Sequence, residues 1–191
     1  MKRVGLYFGS FNPIHIGHMA IANFMVEYGN LDALWFVVSP QNPLKDKQSL
    51  LDDHHRLEMV RLAIEDDERL RASDIEFSLP RPSYTIDTLA YLEEKYPEKV
   101  FSLIMGADQL KYFHKWKHAG LIVSKYHRLL YPRPGVDEAL LKHLENATLV
   151  DAPLMEISSS FIREGIAGGK DLRHLVPAPA WNYLRDMHFY E

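Results

Sequence analysis

The chain has 191 residues, 47% hydrophobic and 12% aromatic, with a net charge of −4 and no cysteine. That length suits one globular domain over residues 1–191, able to bury about 70% of its unfolded surface, and the missing cysteines exclude a disulfide framework. The acidic balance works against non-specific nucleic-acid binding, and no N-terminal signal or long apolar run argues for secretion or a membrane, so a cytoplasmic enzyme is expected, with a homo-oligomer left open. An anionic substrate must then be met by local charges and amides rather than by a global field.

An apolar run from Val4 to Phe8 leads into Gly9-Ser10-Phe11-Asn12-Pro13-Ile14-His15-Ile16-Gly17-His18, followed by an apolar-periodic segment from Met19 to Tyr28. This reads as strand, phosphate-sized turn and helix. The exposed N–H groups and positive dipole end of such a helix face the carboxyl edge of the sheet, where phosphates bind. A helix starting near Ile16 or Gly17 puts His18 in its first turn and His15 just before it, so both can donate to one anion. Gly17, without a Cβ, leaves room for a nucleotide beside the backbone, and Pro13 stiffens the turn. Two loop histidines by themselves are more often structural than catalytic. A metal pair is poorly supported, since there is no cysteine and no third ligand at a suggestive spacing, and no protein metal site is expected.

Leu34 to Val38 reads as a buried second strand, and Ser39 to Lys45 as a rigidified loop that is either a substrate loop or a connector with an exposed lysine. Asp52 or Asp53 caps a helix whose apolar face runs through Leu57, Val60, Ala63 and Ile64, with His54 and His55 solvated in its first turn. A third strand is expected over Leu70 to Ile75. Pro82-Ser83 then ends a loop before a helix running through Leu89, Leu92 and Glu93 to Tyr96. Val100 to Met105 is a buried strand turning off at Gly106-Ala107-Asp108, where a carboxylate can accept both hydroxyls of a ribose or simply cap the next helix. Tyr112 to Lys117 is aromatic and basic, the composition of a core edge with a polar rim. Helix over His118 to Lys125, strand over His127 to Tyr131, turn at Arg133-Pro134-Gly135, helix over Asp137 to Leu144 and strand over Thr148 to Val150 complete the alternation. Repeated strand and helix with non-alternating strands predicts an α/β fold, a doubly wound parallel sheet.

A second cluster comes late, as Ile157-Ser158-Ser159-Ser160-Phe161-Ile162-Arg163. Serines at a helix start are ordinary caps. Here Arg163 follows Ser159 by four positions and Ser160 by three, so guanidinium, hydroxyls and free amides share one face at a helix N-terminus. Gly168-Gly169 ends that helix, and Ala180 to Met187 forms a last amphipathic helix with a packing role.

The joint pattern resembles the nucleotidyltransferase superfamily, through its His-x-Gly-His signature, and within it the bacterial nicotinate-nucleotide adenylyltransferases. That resemblance covers nearly the whole chain and rests on Gly9 to His18, Pro40 to Lys45, Pro82 to Leu89, Gly106-Ala107-Asp108, Trp116 and Ile157 to Arg163, in the family's order. It implies a Rossmann-like fold and transfer of an adenylyl group from ATP to nicotinate mononucleotide, with Mg²⁺ carried on phosphate oxygens. Nicotinamide mononucleotide or phosphopantetheine as acceptor, and a non-catalytic nucleotide-sensing module, are the alternatives; Tyr84-Thr85 and Trp116 tilt the reading to a pyridine nucleotide. By this resemblance His15, His18 and Arg163 are catalytic. Gly9, Ser10, Phe11, Gly17, Gly106, Asp108, Ser158, Ser159 and Ser160 bind ATP, while Asn12, Lys45, Tyr84, Thr85 and Trp116 bind the acceptor. The chain departs from the family where Asn12 replaces the usual aspartate, Ser160 a threonine and Lys117 an aromatic residue, and Lys117 could itself supply a phosphate contact.

Overall fold

The structure is a computed structural model and describes residues 1–40, 50–136, 141 and 144–191. Lys45 and most of the helix expected over Asp137 to Leu144 lie outside the described residues. Six strands, β1 (Lys2–Gly9), β2 (Ala33–Val38), β3 (Leu70–Ser73), β4 (Lys99–Gly106), β5 (His127–Tyr131) and β6 (Ala147–Leu149), form one sheet in the order β3-β2-β1-β4-β5-β6, all parallel. Strands buried on both faces explain the unbroken apolar runs. Alternate residues feed different cores: Leu6 sits beside Trp35 and Leu103 on one face, and Tyr7 beside Phe36 and Ile104 on the other.

Helices cover both faces. The Tyr7 side packs against α1 (Ile16–Tyr28), α2 (Asp53–Ala63), α6 (Ser159–Ala167) and α7 (Ala178–Asp186), through Ile21, Met25, Leu57, Val60, Ile162, Ile166, Trp181 and Leu184. The Leu6 side packs against α3 (Thr85–Lys95), α4 (Leu110–Phe113) and α5 (Ala119–Lys125), through Ile86, Leu89, Leu92, Phe113 and Ile122. No helix among the described residues is long and apolar enough to cross a membrane.

Among the described residues the expected elements are present, with two corrections. The third strand stops at Ser73 rather than Ile75, because Ile75–Phe77 turns as a 3₁₀ helix with Phe77 N–H donating to Asp74 O at 2.8 Å. His55 is half-buried rather than solvated: its Nδ1 lies 2.8 Å from the Tyr183 hydroxyl and its ring packs on Phe189, tying α2 to α7.

Strand order places the site. The chain winds outward from β1 through β2 to β3, and from β4 through β5 to β6, so the ends of β1 and β4 at Gly9 and Gly106 flank the switch point where ligands enter such sheets.

Candidate active site

α1 begins at Ile16 with His15 as its cap. His18 N–H donates to His15 Nδ1 at 3.4 Å, His15 N–H donates to His18 Nδ1 at 3.3 Å, and the two rings stack with centroids 3.7 Å apart. This reciprocal cap uses both Nδ1 atoms as acceptors, which assigns each ring proton to Nε2. Burial, reinforced by the Arg133 cation, depresses the His15 imidazole from 6.5 to about 4. His15 is therefore neutral around pH 7 and offers one N–H rather than a charge.

Gly17 serves this cap. A Cβ there would lie 3.0 Å from His15 Nδ1 and 3.1 Å from its Cε1, so the open space expected for a nucleotide is taken up largely by the His15 ring. Gly9 and Phe11 shape the turn from inside: Phe11 is 1% exposed at φ 44°, its ring lies edge-on to His18 at 5.0 Å, and a Cβ on Gly9 would meet that ring at 2.8 Å.

The late serine cluster meets this turn directly. Ser158 caps α6 by accepting from Phe161 N–H at 3.2 Å, the ordinary role. Ser159 Oγ donates to Pro13 O at 2.9 Å, while Arg163 Nη1 donates to Asn12 O at 2.8 Å and Nη2 to Ser160 Oγ at 3.3 Å. Two helix N-termini, α1 and α6, are thereby bolted together around one space. Asn12, expected on the acceptor side, is buried with Oδ1 accepting from Leu51 N–H at 3.3 Å and from the Tyr190 hydroxyl at 2.6 Å. Its side chain anchors the turn.

Beneath the turn lies Arg56, a residue that sequence reasoning passed over. It is fully buried, and its guanidinium donates to the carbonyls of Leu51 (2.9 Å), Ser10 (2.6 Å), Ser39 (2.8 Å) and Pro40 (3.3 Å). One side chain thus joins the exits of β1 and β2 to the start of α2.

The resulting cavity has a volume of about 460 Å³. Ser10, Asn12, His15, Gly17, His18 and Asp108 line it, with Ser158, Ser159, Ser160 and Arg163 on the opposite wall. Gly106 acts from behind, since a Cβ there would meet Asp108 Oδ1 at 2.5 Å and Arg133 Cγ at 3.1 Å. The polar lining residues that were missed include Tyr7, Tyr131 and Arg133. The two tyrosine hydroxyls are 3.4 Å apart, and Arg133 reaches Met155 O at 2.9 Å and Asp108 Oδ2 at 3.7 Å. Their positions at or just past strand carboxyl ends were the available signal.

Tyr84, Thr85 and Trp116 stand apart from this wall, near the start of α3. Lys117 Nζ lies 2.8 Å from Asp87 Oδ2 and 4.8 Å over the Tyr84 ring, bringing the Tyr84 and Trp116 segments together, while Trp116 packs on Phe113 at 5.0 Å. Lys117 already has a carboxylate partner here. The α3 N-terminus carries no side-chain cap. Below it the buried Glu76 accepts from Thr88 Oγ1 at 2.8 Å, and burial pushes its carboxyl up.

Among the described residues, the metal-sized cluster is Asp52, Asp53 and His54, which does not line the cavity; Asp108 is the cavity's lone carboxylate. This donor set suits a divalent ion that arrives on phosphates rather than one held in a protein cage.

A six-stranded parallel sheet of this order, with donors from two helix starts converging at its switch point, defines a Rossmann-like nucleotide-binding protein of the nucleotidyltransferase fold. Residues 6–165 match the cytidylyltransferase-like family, and the chain belongs to it. It is 49% identical over 191 residues to a protein of Flavobacterium johnsoniae named as a probable nicotinate-nucleotide adenylyltransferase, covering 99% of each chain. A protein of Christiangramia forsetii with the same name is 50% identical over 192 residues, covering 100% of this chain and 99% of that one. In fold it is similar to Plasmodium falciparum nicotinic acid mononucleotide adenylyltransferase complexed with NaAD, with a TM-score of 0.83 at 21% identity over 100% of this chain and 98% of that one.

Proposed function

We infer that this chain transfers the adenylyl group of ATP to nicotinate mononucleotide, forming nicotinate adenine dinucleotide and pyrophosphate in NAD biosynthesis. Beside its full-length relatives, the observation that supports this most is the joining of the His15-His18 helix start to the Ser158–Arg163 helix start around one cavity.

The chemistry calls for no protein nucleophile. A phosphate oxygen of the acceptor attacks the α-phosphorus of ATP in line, the bond from that phosphorus to the bridging oxygen breaks, and its electron pair leaves on pyrophosphate. Catalysis is positioning plus stabilisation of charge. In this reading His18 donates from Nε2 to the oxygens that gain charge at the α-phosphate, and neutral His15 supports it as a second donor. Arg163, with Ser160 and the α6 amides, holds the β- and γ-phosphates. Ser10 and Gly17 border the nucleotide, and Asp108 accepts the ribose hydroxyls. Tyr84, Thr85 and Trp116 line the acceptor side, where the family resemblance also puts Lys45. A divalent ion such as Mg²⁺, carried on the ATP phosphates, would supply charge neutralisation there. A cytoplasmic place of action belongs to the same reading.

The test is pyrophosphate release on mixing the protein with MgATP and nicotinate mononucleotide, with nicotinate adenine dinucleotide appearing in equal amount. ATP binding without turnover would reduce the protein to a nucleotide sensor, and turnover only with a different phosphorylated acceptor would move the specificity.

A further inference from the structure

The segment after α7 returns to the signature turn. Residues 187–191 fold back on the helix they leave, with Met187 N–H donating to Tyr183 O, His188 N–H to Arg185 O and Phe189 N–H to Leu184 O, each at 3.1 Å. Glu191 pairs with both Arg185 and His188 at 2.9 Å, and Phe189 packs on His55 and Tyr183. His188 (φ 53°) and Tyr190 (φ 66°) both sit in left-handed backbone, a conformation that non-glycine residues keep only where their surroundings enforce it.

What this backbone holds in place is one hydroxyl. Tyr190 donates to Asn12 Oδ1 at 2.6 Å, and the same Asn12 accepts on its carbonyl from Arg163 Nη1 at 2.8 Å. Burial pushes the Tyr190 phenol up, so it stays a donor, and the Arg56 and Arg163 cations lie close enough to oppose that rise. Tyr190, which does not line the cavity, therefore bears on the residue that carries Arg163.

We propose that Tyr190 is a positioning residue for the triphosphate subsite: its hydroxyl fixes Asn12, and through the Asn12 carbonyl it fixes the Arg163 guanidinium against the leaving phosphates. This rests on the placement of the β- and γ-phosphates at Arg163 given above. A tyrosine that only packed the tail would need its ring alone.

Tyr190→Phe keeps the ring and removes the donor. The expected result is an ATP KM raised roughly fivefold with a smaller fall in kcat, an unchanged KM for nicotinate mononucleotide, and a melting temperature lowered by no more than about 2–4 °C; about 1 kcal/mol is a typical worth for one hydrogen bond, and 1.4 kcal/mol is tenfold. Combined with Arg163→Lys, it should add no further ATP KM penalty, since both act through one group. Wild-type ATP kinetics in Tyr190→Phe, or penalties that multiply independently in the double variant, would overturn the proposal while Arg163→Lys alone stays impaired. If Arg163→Lys alone behaves as wild type, the subsite assignment itself falls and this inference falls with it.

Discussion

Arg56→Met tests whether one buried cation holds the two loop exits together. Methionine keeps much of the side-chain length and the apolar stem but loses every donor. Three of the lost contacts, to Leu51, Ser10 and Ser39, are 2.9 Å or shorter, and each hydrogen bond to a charged group is worth about 1.5–3 kcal/mol. Against that gain stands the cost of keeping a guanidinium at 0% exposure, several kcal/mol by itself, which the variant relieves. Methionine leaves those carbonyls without this donor, at about 1–3 kcal/mol for each that stays unsatisfied, so after the relieved desolvation the balance expected is a loss of about 3–5 kcal/mol. For a domain of this size roughly 2–4 °C accompanies each kcal/mol, so thermal unfolding should fall by roughly 6–20 °C. Because the Ser10 carbonyl belongs to the nucleotide turn, kcat/KM for ATP should also fall below the melting transition, and Arg56→Lys should lie between the two proteins. A melting temperature within about 2 °C of wild type, with unchanged kinetics, would refute the reasoning, because the carbonyls would then be satisfied without the guanidinium.

His18→Ala should keep the fold and lower kcat by about 10²–10³ while weakening ATP binding far less, since it removes a donor aimed at developing charge; near-normal kcat would take His18 out of the mechanism. His15 is depressed to about 4 in the folded state, so between that value and its ordinary 6.5 the unfolded chain binds the extra proton. Stability should be level above about pH 6.5 and fall by about 3 kcal/mol as pH drops toward 4, a slope that His15→Gln should lose; identical pH profiles for the two proteins would sink this. Gly17→Ala should raise the ATP KM by displacing the His15 ring, which a Cβ would approach to 3.0 Å, and ATP titrations of the variant measure it. Nicotinate mononucleotide should be preferred over nicotinamide mononucleotide by at least about tenfold in kcat/KM, because the uncapped α3 start favours an anion; equal efficiencies at saturating ATP would reject that placement of the ring.

What could be read from residues alone was local. Periodicity and end signals located the strands and helices, and the strand–turn–helix grammar put His15 and His18 at a helix start because each piece lies within a few residues of the next. Pairing that turn with Ser158–Arg163 came from family resemblance, and the contacts of Ser159 with Pro13 and Arg163 with Asn12 give it a physical basis. Arg56 and Tyr190 escaped notice because neither belongs to a local pattern: an arginine in a helix turn and a tyrosine in a short tail acquire meaning only from carbonyls and amides that the fold brings to them. Arg133 escaped for a related reason. A cation two positions past a strand is common, and only the sheet order shows that this strand ends beside the cavity. Gly17 was noticed for its lack of a side chain, but which neighbour uses the space is a matter of rotamers.

The ties at Asn12 also order events during synthesis. Every strand pairing lies within the first 149 residues, so the sheet can assemble while the ribosome is still adding α6 and α7. Asn12 then waits for partners 151 and 178 positions downstream, contacts whose closure entropy is large and whose formation must come late. A nascent chain that stops short of α6 lacks both the second wall of the cavity and the apolar cover that α6 and α7 give the Tyr7 face, so nucleotide protection against proteolysis should begin only when the last helices have emerged.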